Sequence, residues 1–477
     1  MSADLQPVTR NNWQEMIQLT EFPLDFSSRD VPLFFQIYQL FKEEILHNHI
    51  QYNDLLPSIR GCARLLHVSK NTVEVAYQLL LSEGYVISIP KKGYQVVYKG
   101  SLMVKQDNAF SQDHVLENIE LDFRYGNIEL NTFPFNQWNR LRNKIITHNQ
   151  SNYMVEGQPQ GEYVLRKQLS KFLYESRGVS CNPEQMIIGA SPQQLVSVLC
   201  QLLDAKKHTI GVENPGYDGA RNSFLNYGFQ VKAISLFASG VSIAELENSC
   251  ANVMYVSPSQ QFMNKMVMSL EKRQELVDWV HTHEYIIEDD YEWEFKYQDR
   301  YLPSIQSLSP AKAVYIGRLS KALLPLVNVS YLVLPYDLLS LFHKNVSEYD
   351  QPVSRLDQLT LADFLSDGYW HKHVQMMRQS YTEKKQMFLQ VIDEYMKGRV
   401  ELVGKDIGLH VFLTVKTSHT EAELLELGRK KGVKVYGTSR YWFQRKRQYP
   451  TVLLGYGTLS QQQIRQGIRL LAEAWFS

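Results

Sequence analysis

Two side chains that could do chemistry together, Asp289 and Lys321, each follow a strand-like apolar run, Tyr285–Glu288 and Val314–Gly317. A lysine amine can form a Schiff base with an aldehyde, and a carboxylate can hold a protonated pyridine nitrogen. Parallel strands present their carboxyl ends at one edge of a sheet, where ligands bind. The pair therefore suggests pyridoxal 5'-phosphate (PLP), which is an aldehyde on a pyridine ring. Taken alone, each residue is more often an ordinary surface side chain.

The composition fits a soluble globular protein with more than one domain. The chain has 477 residues, of which 44% are hydrophobic and 21% charged, and 50 basic residues offset 50 acidic ones. A small DNA-binding domain joined to a larger neutral one is compatible with this balance. Four separated cysteines without a CxxC pair fit reduced, buried thiols and no obvious zinc site. No signal pattern and no apolar run near the ~20 residues of a membrane helix is found, which predicts a cytoplasmic protein.

The chain divides into three segments by pattern. Residues 31–99 predict helices over 32–48 and 57–82, followed by two strands over 85–97. Residues 100–128 lack periodicity and read as a linker. Residues 129–477 alternate short apolar runs with helical patterns, which predicts a mainly parallel sheet with helices on both faces. A smaller α+β subdomain begins at about 355. We therefore expect a multidomain protein.

The first segment has the pattern of a helix-turn-helix. Ser58 and Ser69 are placed to cap two helices, and the second helix opens with short polar and basic groups. Lys91 and Lys92 at the predicted hairpin tip could touch phosphates. Periodicity alone leaves open a generic helical domain with solvated charges.

Four motifs in this segment resemble the winged helix-turn-helix of the GntR superfamily. They are Leu56-Pro57-Ser58-Ile59-Arg60, Val68-Ser69-Lys70-Asn71-Thr72-Val73, Ala76-Tyr77 and Glu83-Gly84-Tyr85. The resemblance implies binding to double-stranded operator DNA through Ser58, Arg60, Ser69, Lys70, Asn71 and Thr72, with a wing at Lys91 and Lys92. The family commonly has arginine at position 70, and lysine keeps the charge but loses bidentate geometry.

Further motifs resemble fold-type I PLP enzymes. They are Gly157-Gln158-Pro159-Gln160-Gly161, the run 183–190, Glu213-Asn214-Pro215-Gly216-Tyr217, the run 286–295 and Ser320-Lys321-Ala322-Leu323-Leu324-Pro325. A GntR head joined to such a domain resembles the MocR/GabR family of transcriptional regulators. The resemblance implies a winged helix-turn-helix (α+β) and an α/β fold-type I aminotransferase-like domain with a smaller α+β C-terminal subdomain. It also implies a homodimer whose two heads read two half-sites.

The resemblance assigns a cofactor-binding role to six residues. Lys321 would carry PLP as a Schiff base, Asp289 would hold the ring nitrogen, and Tyr291 would donate to the ring oxygen. The phosphate would lie at the helix start near Ser191 and Gln193, and Ser320 completes the set.

The sequence differs from the family pattern mainly at positions expected to lie near the cofactor. Asn328 replaces an arginine expected to hold an anion, and Arg318 is a candidate to compensate. Pro192 removes one N–H donor from the helix start. Gly219 and Thr458 stand where GabR-like relatives carry arginines that clamp a carboxylate. The histidine and the Pro-Thr-Gly turn of the family are missing from residues 257–265. Because an efficient aminotransferase needs a fixed clamp on its substrate, the changes argue against one.

The leading hypothesis is a cytoplasmic regulator that binds DNA at residues 32–97 and PLP at Lys321. It would sense PLP or an amine or amino-acid effector. Two alternatives stay open: an active PLP-dependent aminotransferase with a DNA-binding head, and a regulator that has lost PLP binding.

Overall fold

The structure is a computed structural model, and its contacts divide the chain into two compact units, Met1–Leu116 and Glu117–Ser477. Each unit is described by itself. The structure describes residues 32–47, 49–98, 119–126, 133–148, 156–237, 239–261, 266–291, 293–295, 302–319, 322–323, 327–345, 349–404, 408–443 and 449–476.

In its described residues, 32–47 and 49–98, the first unit has three helices and a two-stranded antiparallel sheet. Its elements are α1 Leu33–Leu46, α2 Ile59–Leu65, α3 Lys70–Ser82, β1 Val86–Ile89 and β2 Gly93–Val96. The predicted helices and hairpin are therefore confirmed within a few residues. The apolar face of α1, including Ile37 and Phe41, packs in one core with Val73 and Tyr77 of α3.

The second unit contains an eight-stranded sheet in the order β4-β11-β10-β9-β8-β5-β6-β7. The strands are β4 Met186–Gly189, β5 Thr209–Asn214, β6 Gln230–Phe237, β7 Gly240–Val241, β8 Val253–Val256, β9 Tyr285–Asp290, β10 Ala313–Arg318 and β11 Ser330–Val333. The pairs β10–β9, β9–β8, β8–β5 and β5–β6 are parallel. The predicted mainly parallel sheet is confirmed, and the strand-like runs 285–288 and 314–317 belong to it as parts of β9 and β10.

Strands β6 and β7 were not among the predicted strands. β6 alternates exposed and covered residues along much of its length because it lies near the edge of the sheet. Its pattern lacks the continuous apolar run that marks the central strands. Strand β7 has only two residues, which is too short for a periodic signal.

Helices cover both faces of the sheet in three apolar cores. The helices of this unit up to the long α13 are α4 Phe135–His148, α5 Tyr163–Arg177, α6 Pro192–Leu202, α7 Asp218–Asn226, α8 Ile243–Asn248, α9 Leu270–His281, α10 Ile305–Leu308, α11 Tyr336–Asn345, α12 Arg355–Ser366 and α13 Tyr369–Met396. This is the layered α/β arrangement that the alternating pattern predicts.

A smaller α+β subdomain follows α13. Its elements are β12 Val400–Val403, β13 His410–Val415, α14 Glu421–Lys430, β14 Val433–Lys434, β15 Tyr436–Gly437, β16 Thr451–Gly455 and α15 Gln461–Phe476. A short strand, β3 Leu121–Asp122, pairs with β14 although the sequence analysis assigned these residues to the linker. Phe123 beside it is fully buried in the subdomain core. Residues 100–118 and 127–128 of the proposed linker lie outside the described part of the chain.

The cysteines correct one expectation. Cys62 and Cys200 are buried free thiols and Cys181 is half-buried, but Cys250 is exposed. Its backbone φ of 59° puts it in the left-handed region at the end of a turn before β8.

Candidate functional sites

The helix-turn-helix is fixed at both helix starts by serine caps. The Ser58 hydroxyl accepts a hydrogen bond of 3.1 Å from the N–H of Gly61, and Ser69 accepts one of 3.1 Å from Thr72. Each bond satisfies a backbone donor that has no partner inside its helix. The Thr72 hydroxyl lies 2.7 Å from the Ser69 hydroxyl, so two of the predicted contact residues hold each other in place.

The predicted DNA-contact residues lie on the surface of this unit. Ser58, Arg60, Ser69, Lys70 and Asn71 are exposed and Thr72 is half-exposed. The opposite face of α3 is anchored, because Tyr77 is fully buried and its hydroxyl donates to the carbonyl of Pro57 at 3.0 Å. The polar start of α3 is thereby left free for a ligand.

The wing residues Lys91 and Lys92 are also exposed, at the tip of the hairpin between β1 and β2. Lys91 has a φ of 66°, a left-handed conformation that tight hairpin turns require. Backbone hydrogen bonds from Leu56 to Tyr94 and from Val96 to Asp54 tie the wing to the segment before α2. The wing and the helix-turn-helix therefore form one structural piece.

The second candidate site lies at the carboxyl edge of the large sheet. In register, Asp289 of β9 pairs with Ile316 of β10, Arg318 of β10 pairs with Ser330 of β11, and Ser330 pairs with Gly189 of β4. Cross-strand partners project to the same face, and side chains alternate along a strand. Asp289, Arg318 and Ser330 therefore share one face of the sheet.

Asp289 is a buried carboxylate with only part of its hydrogen-bonding capacity used. It is 2% exposed, and its Oδ2 accepts a hydrogen bond of 2.5 Å from the Tyr255 hydroxyl. Its Oδ1 has no hydrogen-bond partner among the described residues. Burial raises the pKa of Asp289, while Arg318 and the Tyr255 hydroxyl oppose this rise by favouring the carboxylate.

The neighbouring acids Glu288 and Asp290 face the other side of β9 and are committed to arginines. Arg177 Nε lies 2.6 Å from Asp290 Oδ2, and Arg273 lies 3.8 Å from Glu288. The Tyr315 hydroxyl donates to the same Asp290 oxygen at 2.6 Å. Of the three consecutive acids, Asp289 is the one placed to meet a ligand on the face that carries Arg318.

Among the described residues, Arg318 is the cation that forms an ion pair with Asp289. Its terminal nitrogen lies 3.9 Å from Asp289 Oδ2, and only 14% of its side-chain surface is exposed. Its guanidinium lies 5.8 Å from the ring centre of Tyr291. Burial disfavours the charged form, but Asp289 and the phenols of Tyr125, Tyr217 and Tyr255 outweigh burial and raise the pKa of Arg318.

The small subdomain supplies an apolar wall beside Tyr291. Tyr291 is 4% exposed and shares a cluster with Phe412, Tyr441 and Leu453. Phe412 and Leu453 are cross-strand partners on β13 and β16. The sequence predicted Tyr291 as a site residue but not these neighbours, because they come from strands more than 100 residues downstream.

The start of α6, predicted to receive a phosphate, is already partly satisfied within the chain. The Ser191 hydroxyl accepts a hydrogen bond of 3.1 Å from the N–H of Gln194. The Gln194 side chain in turn accepts from the N–H of Ala190 at 3.3 Å. Pro192 begins the helix without an N–H, and Gln193 is exposed. The arrangement retains the Ser191 hydroxyl proton as a donor.

Some of the predicted residues fall elsewhere. Lys321 and Ser320 lie outside the described residues, although Leu319 and Ala322 on either side are buried. Asn328 and Thr458 are exposed. A side chain at Gly219 would meet the Tyr217 ring at 2.4 Å, so Tyr217 fills the space that an arginine there would need.

The sequence pattern gave no site role to two buried polar residues near the edge. Tyr255 sits inside an apolar strand, where a tyrosine reads as core packing, and only the register of β8 against β9 brings it beside Asp289. Glu213 is 4% exposed at the end of β5 and accepts a hydrogen bond of 3.2 Å from the N–H of Ser257. Burial raises the pKa of Glu213 to about 8, with a contribution from Asp289.

These groups fit a cationic heteroaromatic ring such as that of PLP. A ring N–H needs a buried acceptor, and Asp289 Oδ1 is one. A ring oxygen needs a donor, and Tyr291 offers a hydroxyl on the same side as Arg318. Among the described residues, no group of three or more histidines, cysteines, aspartates or glutamates is arranged to hold a metal ion.

Comparison with known proteins agrees with both units. Residues 35–96 match the model of the bacterial regulatory proteins of the gntR family. The chain is 37% identical over 458 residues to the uncharacterized HTH-type transcriptional regulator YdeL of Bacillus subtilis (strain 168), covering 94% of this chain and 97% of the relative. It is 28% identical to the probable rhizopine catabolism regulatory protein MocR of Rhizobium meliloti, covering 94% of each.

Among solved structures, the multiple substrate aminotransferase of Thermococcus profundus superimposes with a TM-score of 0.67. The match covers 77% of this chain and 94% of the aminotransferase at 20% identity, which establishes the aminotransferase-like fold. Within the described part of the chain, no helix combines the length and the apolar character needed to cross a membrane.

Proposed function

We propose, for a chain that belongs to the MocR/GabR family of GntR-type transcriptional regulators, that its aminotransferase-like domain binds PLP and responds to PLP or to an amine effector. Regulation by DNA binding follows from the family; the cofactor and the effector are the proposal. The cytoplasmic location expected from the sequence stays a prediction.

One observation carries the cofactor assignment: Asp289 is a buried carboxylate with one oxygen free of hydrogen bonds among the described residues. A buried charge without a full set of partners is costly. A protonated ring nitrogen would satisfy it. When bound, PLP supplies an aldehyde that reacts reversibly with primary amines, which is the chemistry an amine sensor needs.

Each of these residues would make a different contact with PLP. Asp289 would accept the ring N–H, Tyr255 would keep that carboxylate ionised and oriented, and Tyr291 would donate to the ring oxygen. Lys321 would supply the amine that holds the aldehyde. Ser191, Gln193 and Ser320 would meet the phosphate.

The residues expected to contact an effector or substrate suit a sensing role better than catalytic turnover. The positions expected to clamp a substrate carboxylate are Gly219, which is covered by the Tyr217 ring, and Thr458, which is exposed. Phe412 and Leu453 bring an apolar wall to Tyr291 instead. Without a fixed clamp, a substrate would not be held in the orientation that rapid chemistry requires.

DNA binding is assigned to the exposed start of α3, the caps Ser58 and Ser69, and the wing lysines. The side chains at the start of α3, Lys70 to Thr72, would meet base edges and phosphates in a major groove. We propose a homodimer, so that two heads read two half-sites. Sedimentation of the purified chain tests this, and a monomer at the concentrations that bind DNA would contradict it.

The absorption spectrum of the purified full-length protein titrated with PLP tests the cofactor assignment. We expect a visible band that differs from free PLP and disappears in Lys321→Ala. Titration with amino compounds should then shift the band and change operator affinity in the same concentration range. A chain that yields no band and no adduct on Lys321 overturns the proposal. Steady amino-group transfer to a 2-oxo acid would establish an aminotransferase instead.

A further inference from the structure

The Arg318 guanidinium lies among the residues assigned to the cofactor ring. Its terminal nitrogen is 3.9 Å from Asp289 Oδ2, and its central carbon Cζ lies 5.8 Å from the centre of the Tyr291 ring. Asp289 would hold the ring nitrogen and Tyr291 the ring oxygen. The arginine therefore lies close to both residues assigned to the ring, and nearer to Asp289.

A guanidinium and a pyridinium make the same demand on this carboxylate. Both are planar, delocalised cations that present N–H donors. Asp289 is the acid whose charge offsets Arg318, since Asp290 is paired with Arg177 on the opposite face. Two cations beside one buried carboxylate repel each other, and the repulsion is strong where water is excluded.

We propose that Arg318 determines the affinity of this site by competing with the cofactor ring for Asp289. The inference rests on the proposed function and goes beyond it. Arg318 offsets part of the Asp289 charge from the Oδ2 side when PLP is absent, and a cationic ring nitrogen bound at Oδ1 would have to share that charge with the guanidinium. The result is weak, reversible occupancy that follows the concentration of PLP, which suits a sensor better than a permanently loaded enzyme.

The alternative role for Arg318 has the opposite consequence. Its backbone is in register with Ser330 and Gly189, the row that leads to the start of α6. An arginine turned toward that row would hold the phosphate and strengthen binding. The observed side chain turns toward Asp289, which favours competition.

Two ligands separate these roles in the full-length protein. Arg318→Met removes the cation and keeps an unbranched chain, whereas Arg318→Lys keeps the cation. Binding of PLP and of pyridoxal, which lacks the phosphate, is followed by quenching of tryptophan fluorescence. We expect Arg318→Met to bind both ligands at least about tenfold more tightly than the unmodified chain, and Arg318→Lys to remain close to it.

Other results overturn the proposal. Weaker PLP binding with unchanged pyridoxal binding would make Arg318 a phosphate ligand. Equal affinities in all three proteins would show that Arg318 does not compete with the ring. The same conclusion follows if Arg318→Lys binds the ligands as tightly as Arg318→Met. If none of the proteins binds PLP, the cofactor assignment fails together with this inference. If Arg318→Met binds PLP and the other two proteins do not, the result supports the inference.

A readout without cofactor tests the pair itself. Arg318→Met leaves Asp289 without its cation and should lower the urea midpoint of unfolding. Asp289→Asn in the same background should restore much of the loss, because an amide does not need a counter-ion. If Arg318→Met does not fold, Arg318→Gln takes its place. An Asp289→Asn effect that is the same with and without Arg318 would contradict the pairing.

Discussion

The hydroxyl of Tyr255 donates a hydrogen bond of 2.5 Å to Oδ2 of Asp289 on the neighbouring strand. Removing it in Tyr255→Phe takes away a donor that favours the carboxylate. The pKa of Asp289, already raised by burial, should rise further. We expect PLP to bind more weakly by about 1 kcal/mol, or roughly fivefold.

The pH dependence of PLP affinity reports the same change. The site needs ionised Asp289, so affinity falls as pH drops through the pKa of that residue, and this fall should begin at higher pH in Tyr255→Phe. Tyr285→Phe is a matched control. The Tyr285 hydroxyl donates a hydrogen bond of 2.5 Å to Asp337, and Tyr285 begins β9, at the end of the strand opposite to the carboxyl edge. Identical profiles for the unmodified chain and Tyr255→Phe would refute the assigned role.

Breaking the buried pair formed by Arg177 and Asp290 should destabilise the second unit strongly. The two side chains are 4% and 0% exposed and lie 2.6 Å apart. Arg177→Met leaves a buried carboxylate without its counter-ion, which typically costs about 3–5 kcal/mol of unfolding free energy. We expect a large drop in the urea midpoint of unfolding.

The exposed pair Lys397–Asp393, 3.5 Å apart, provides the comparison. Its side chains are 78% and 67% exposed, so Lys397→Met should shift the midpoint very little. Equal shifts in the two variants would mean that the buried pair contributes no more than a surface contact.

The sequence predicted the central strands, and the position of Asp289 behind one of them, because these signals are local. A continuous apolar run marks a buried parallel strand, and Asp289 follows the run at 285–288. The polar and charged neighbours of Asp289 could not be predicted from the sequence. Tyr255 and Arg318 meet it only through strand register, and Phe412 and Leu453 arrive from a subdomain more than 100 residues downstream. Side-chain direction decided the rest, since Arg318 turns to Asp289 rather than toward α6.

DNA binding by the head should depend on Arg60 and Lys70. Both side chains are exposed, so Arg60→Ala and Lys70→Ala should abolish specific gel shifts while the head stays folded by circular dichroism. Each lost phosphate contact should lower the slope of log affinity against log salt by about one unit. Lys207→Ala, on the surface of the other unit with 78% of its side chain exposed, should change neither. Specific shifts retained in both head variants would contradict the assignment.

Glu213 should make stability decrease with rising pH. Burial raises the pKa of Glu213 from 4.5 to about 8, so between these values the folded chain holds a proton that the unfolded chain releases. The free energy of unfolding then falls as pH rises, by at most about 1.4 kcal/mol per pH unit. Glu213→Gln keeps an acceptor for the Ser257 N–H and should flatten this part of the profile. Urea midpoints measured from pH 5 to 8 test it, with Glu247→Gln at an exposed position as the control; parallel profiles for the unmodified chain and Glu213→Gln would show that Glu213 is ionised when folded.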